Sequence, residues 1–172
     1  MASTLFTPIA AALLSFLQTQ CGATFNYYSR RFMTWENMKE ARQAGVGISQ
    51  PALFVYEGVG FGGGKITYTP GGATPYKREM SVDLVVYAQM TGGGTPAGVN
   101  ATDVGADVFY PLLESIQAAF DTTELNAYGM PRINLGGVVQ HCWIEGDVHL
   151  LVGDIDPDGQ GMMTVPVKIL IP

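Results

Sequence analysis

Two stretches of alternating residues constrain this chain more than any other feature. Val165, Val167, Ile169 and Ile171 are interleaved with Thr164, Pro166, Lys168 and Leu170, and Val82, Leu84 and Val86 with Ser81, Asp83, Val85 and Tyr87. Successive side chains of a strand point to opposite faces, so each stretch has one apolar face to bury and one mixed face. Such strands belong in a sheet with one face on a core. Pro166 has no N–H to give to a ladder, which predicts an edge position at that point of the last strand, 163–171.

The material to cover that face is present as helices. One starts near Thr7, a capping residue, with Pro8 in the first turn where its missing N–H is harmless, and carries Ile9, Leu13, Phe16 and Leu17 as a stripe at helical spacing. A second, capped by Thr102 or Asp103, aligns Phe109, Leu112, Leu113, Ile116 and Phe120. Pro111 must kink it or mark its true start. Further strands are predicted over 23–33, 51–57 and 137–152, and from about Lys77. Thr34 to Asn37 reads as a turn or a short helical start. The glycine-rich segment 58–74 is a long connection or an extended hairpin, and Gly92-Gly93-Gly94 is a second break. The predicted order is helix, three strands, helix, two strands: an α+β fold with a mostly antiparallel sheet and two main helices on one face. At 172 residues, one domain spanning 1–172 accounts for the chain.

Composition narrows the function. Hydrophobic residues make up 47% and charged residues 14%, an apolar balance that suits a surface covered by other subunits. A net charge of -6 gives no basic field to gather phosphates, so sequence-reading of DNA or RNA is disfavoured, and an acidic surface would instead let DNA slide past. The run from Leu5 to Leu17 has no preceding Lys or Arg and is too short to span a bilayer, so neither a signal peptide nor a membrane span is expected. Cys21 could suggest a lipid anchor, but Gln18-Thr19-Gln20 before it lacks the small residues such processing favours. Cys21 and Cys142 read instead as two buried thiols in a reducing compartment.

Motifs that would carry chemistry fail on context. Gly58, Gly60 and Gly63 match a dinucleotide fingerprint, yet a β-like run from Lys65 follows where a helix is needed. Gly64-Lys65 lacks the first glycine and the hydroxyl of a phosphate loop. Asp154, Asp156 and Asp158 open like a calcium loop, but position twelve is Val165 rather than Glu, so an acidic turn is the expectation and no metal is assigned. His141 and His149, eight strand residues apart, would lie about 26 Å from each other and cannot share a metal. His141 and Cys142 alternate faces, which excludes a nucleophile and base pair. Tyr27, Tyr28, Trp35 and Phe54, with Arg30 and Arg31, could form a stacking platform for single-stranded nucleic acid, a reading the acidity opposes. The expectation is no catalytic residue, no cofactor and no enzyme.

Three stretches together resemble the tail terminator family of long-tailed (siphovirus-type) bacteriophages. They are Gln50-Pro51-Ala52-Leu53-Phe54-Val55, the proline-bearing helix from Tyr110 to Phe120, and the C-terminal hairpin built from Gly136 to Gly146 and from Val165 to Pro172. The likeness covers nearly the whole chain. It implies a virion protein that closes into a hexameric ring on the head-proximal end of the tail tube, stops tube polymerisation and presents the surface to which the neck of the filled head attaches. It further implies tail tube and neck proteins as partners, DNA passing through the channel unread, and assembly in the host cytoplasm. Gln50, Pro51, Phe54, Trp143, Pro166 and Lys168 are the interface residues it suggests. By the same likeness the 58–74 segment reaches the tube or a neighbouring subunit, and acids such as Asp83, Glu145 and Asp147 line the channel. A tail tube or head-tail joining protein shares the plan; an unrelated small ligand-binding or enzymatic α+β domain would instead be a monomer or dimer with a defined pocket.

Overall fold

The computed structural model describes residues 6–45, 48–58, 64–71, 74–89, 105–121, 125, 129, 132–152 and 160–171. In chain order these form α1 (Phe6–Cys21), a 3₁₀ turn (Gly22–Thr24), β1 (Tyr27–Ser29), α2 (Trp35–Gln43), β2 (Ala52–Tyr56), β3 (Lys65–Gly71), β4 (Thr74–Gln89), α3 (Gly105–Phe120), β5 (His141–Ile144), β6 (His149–Val152) and β7 (Gln160–Ile171). The fold is α+β, with one seven-stranded sheet ordered β1-β2-β4-β7-β5, β3 also pairing β4 and β6 also pairing β7.

The two alternating stretches are the paired centre of this sheet. β4 and β7 run antiparallel in register from Arg78 opposite Ile171 to Gln89 opposite Gln160. Their apolar faces, Val82, Leu84 and Val86 with Val165, Val167 and Ile169, are fully buried. Helices α1 and α3 cover them: Ile9, Ala10, Leu13 and Leu17 of α1 and Phe109, Leu112 and Ile116 of α3 join one cluster with these strand residues. Phe16 and Phe120 meet edge to face at 5.7 Å. Burial of a side chain of this size stabilises by roughly 1.5–3 kcal/mol, so this layer carries most of the fold.

The other sheet face holds a second, smaller core that pattern reading does not anticipate. β1 and β2 are parallel, and a parallel pair needs a crossover, which α2 supplies. Met38 of α2 and Ile48 pack onto Ala52, Phe54, Val85, Tyr87 and Met162, with Tyr27, Phe32 and Trp35 around them. The residues 34–37 are thus the entrance to a nine-residue helix rather than a turn. Thr34 Oγ1 accepts from the Asn37 N–H there, as an N-cap hydroxyl does.

Other expectations need correction. The predicted strand 23–33 shrinks to Tyr27–Ser29, because the 3₁₀ turn, entered at Gly22 with φ 50°, takes up its residues 23 and 24. Of the two readings of Pro111, the true start is excluded: α3 begins six residues before it and runs through it, with Pro111 exposed; the capping pair Thr102 and Asp103 lies outside the described residues. Pro166 is not on an edge, since β7 has β4 on one side and β5 and β6 on the other. The predicted strand 137–152 is split opposite it: Ile144 pairs with Val167 and His149 with Thr164, so four residues, 145–148, face only Val165 and Pro166. This bulge removes the partner that would have needed a proline N–H.

The glycine-rich 58–74 segment contains a hairpin arm. β3 pairs antiparallel with the first half of β4, down to Gly71 opposite Thr74. The β7 ladder stops at Arg78, so the four residues of β4 before it extend roughly 13 Å beyond the sheet centre.

Candidate functional site

α2 covers one end of the outer sheet face and leaves the other end open. There the register sets Trp143 beside Lys168 and Ser81, and His141 beside Leu170 and Glu79. Glu145 ties this surface together. One carboxylate oxygen accepts from Trp143 Nε1 at 2.6 Å and the other pairs with the Lys168 ammonium. The Glu145 hydrogen bond holds the Lys168 ammonium above its usual range. His141 stacks on Trp143 with ring centroids 5.2 Å apart. Its Nδ1 accepts from the Ile133 N–H at 3.1 Å, and burial together with nearby Arg132 pushes the imidazole below its ordinary 6.5. Pro166 closes the patch at the bulge, its ring close to Gly146 and its carbonyl accepting from the Glu145 N–H.

The structure therefore brings Trp143, Pro166 and Lys168 together and separates them from the other suggested interface residues. Gln50 and Pro51 lie at the entrance to β2, whose first residue Ala52 is level with Tyr87, about 20 Å along β4 from Ser81. There the Gln50 carbonyl accepts from Asn26 Nδ2 at 2.5 Å and the Pro51 carbonyl from the Asn26 N–H, across a cis Gln50–Pro51 bond. Phe54 is no interface residue: it is fully buried at the centre of the second core, against Tyr27, Phe32 and Tyr87. Asp83 is likewise withdrawn, at 2% exposure in register between Tyr56 and Pro166, so it cannot face a channel. Glu145 and Asp147 are exposed.

The other candidates resolve as follows. The aromatic platform does not exist, since Tyr28 packs with Phe25 on the helix side while Tyr27, Trp35 and Phe54 serve the second core. Arg30 is held by Glu57 at 2.8 Å. The split strand shortens the separation of His141 and His149 to six β7 residues, about 20 Å, which still precludes a shared metal. Both cysteines are free and buried, and burial pushes the Cys142 thiol up to about 12. Asp154, Asp156 and Asp158 fall outside the described residues. Among the described residues no group of three His, Cys, Asp or Glu could hold a metal, and no helix is long and apolar enough to cross a membrane.

Comparison with known proteins adds no kinship. The chain matches no protein-family profile and no curated protein sequence. The open sheet surface is thus judged on its chemistry. It has an indole, an imidazole and a proline ring framed by an ion pair, the mixture of flat apolar groups and directed charge that protein contacts use. Glu145 was in view only as an acid of the channel lining that the resemblance implies; its part in tying Trp143 to Lys168 depends on the bulge, which no local pattern announces.

Proposed function

We propose that this chain is a structural subunit of a long-tailed phage, forming a ring, hexameric by the resemblance, that caps the head-proximal end of the tail tube. What supports the reading is the half-covered outer face of the sheet. An α+β unit with helices on one face normally exposes a polar second face, whereas here Trp143, Pro166 and His141 lie side by side on it beside an arm, β3–β4, that extends past the core. These elements include the C-terminal hairpin whose sequence resembles tail terminators. In this reading the ring ends tube growth, offers the neck protein its seat, and lets DNA pass without base recognition.

The test is tail assembly with Trp143→Ala and Lys168→Glu variants. Each is expected to yield tails of uncontrolled length that fail to join heads, while circular dichroism remains that of the wild type. Normal tails from both variants would remove this surface from the account. A tail tube protein would instead polymerise alone into stacked rings.

A further inference from the structure

We infer that copies of this chain join head to tail, the β3 margin around Lys65 of one copy meeting the Glu145–Asp147 bend of the next. This contact rests on the ring reading above and names its two patches. Charge along the sequence is segregated. Between Glu57 and Glu79 lie Lys65, Lys77 and Arg78 and no acid; between Arg132 and Lys168 lie five acids and no Lys or Arg. The topology puts Lys65 of β3 beyond β4 on one side, and Glu145 and Asp147 of the bend beyond β7 on the other; Lys77 and Arg78 lie on β4, and Asp154, Asp156 and Asp158 fall outside the described residues.

A two-fold contact through either margin would set like charge against like. A head-to-tail contact sets basic against acidic, and that type of contact closes into rings. Strand direction agrees. β3 and β7 are both antiparallel to β4, and β5, which is level with β3, is antiparallel to β7, so a neighbour brought alongside without inversion presents β3 antiparallel to β5, next to the bend. Height agrees as well. Lys65 is level with Ser81, and the bend lies opposite Val165 and Pro166, which are level with Leu84 and Asp83. The offset is two to three residues, roughly 7–10 Å over a sheet width of about 19 Å, a strand tilt smaller than closed barrels already require. The β3 margin also offers apolar area, with Ile66 38% and Tyr68 58% exposed.

The experiment is sedimentation velocity on the full chain, with Lys65→Glu, Asp147→Lys, their equimolar mixture and the double variant. Each single variant sets like charge against like in every contact and is expected to dissociate at least about tenfold more readily than the wild type. The mixture restores both contacts in alternation, and the double variant restores them in one chain, so both are expected to assemble. Circular dichroism identifies any variant that fails to fold; Lys65→Gln with Asp147→Asn then provides the milder pair, each expected to weaken assembly and its salt dependence. Single variants that assemble like the wild type, a mixture that stays dissociated, or a wild-type chain that is monomeric at its highest soluble concentration would each overturn the contact. Tube capping is scored separately: copies that join this way but never cap tubes leave the contact standing and refute the tail reading, whereas capping by a folded Lys65→Glu chain refutes only the contact.

Discussion

Phe54 shows how a single side chain changes meaning once its neighbours are known. In the sequence it belongs to a stretch that resembles tail terminators and is expected at an interface; in the fold it is fully buried beneath α2. Phe54→Ala is therefore expected to cost about 3–5 kcal/mol in urea unfolding, the range for a large aromatic removed from a packed core. A loss confined to assembly, with unchanged stability, would contradict that placement. Cys142 gives an independent check on the main core. Its thiol is fully buried and pushed up to about 12, so it should resist a thiol reagent in the native state and react promptly in denaturant. His141 sets a pH dependence. Its folded value lies below the 6.5 of the unfolded chain, because burial and Arg132 disfavour the charged ring. The unfolded state then binds more protons as pH falls through 6.5, so stability is full above that value and declines below it. A His141→Asn chain should lose less stability between neutral and mildly acidic pH, measured by denaturant midpoints.

At the scale of elements, the parts of the fold that follow a simple period were legible and the parts set by distant partners were not. α1, α3, β4 and β7 each carry an apolar stripe at their own spacing, and each was anticipated with most of that stripe, while buried Ala10, Met80, Ala88 and Ala119 were not. α2 has few apolar residues and was visible only as a helical start, because its purpose is to bridge a parallel pair that no local pattern announces. The bulge between β5 and β6 was missed for the same reason, although its cause, Pro166, was in view. Reading that proline as an edge signal took the frequent solution to a missing N–H; this chain uses the rarer one of bending the partner strand away. Within the candidate site, Trp143, Pro166 and Lys168 were legible through the resemblance; Glu145 was in view as a channel acid, but its joining of Trp143 and Lys168 was not. The bulge makes a sharp prediction. Gly146 sits at φ 125°, and a Cβ there would lie 3.0 Å from the Pro166 ring. Gly146→Ala should destabilise by about 1–3 kcal/mol in denaturant unfolding. It should also disturb the Trp143–Glu145–Lys168 arrangement, seen as a shift in tryptophan fluorescence.

For the whole molecule, the asymmetry of the sheet is what relates fold to assembly. One face is closed by two helices, the other is half open, and the two margins differ in charge. A subunit with those properties has reasons to associate and a preferred direction in which to do so. The most direct measurement is negative-stain electron microscopy of the purified chain, alone and mixed with growing tail tubes. Single rings that sit at one end of each tube and halt its growth are the predicted result. Particles that ignore the tubes, or chains that build tubes by themselves, would contradict the account.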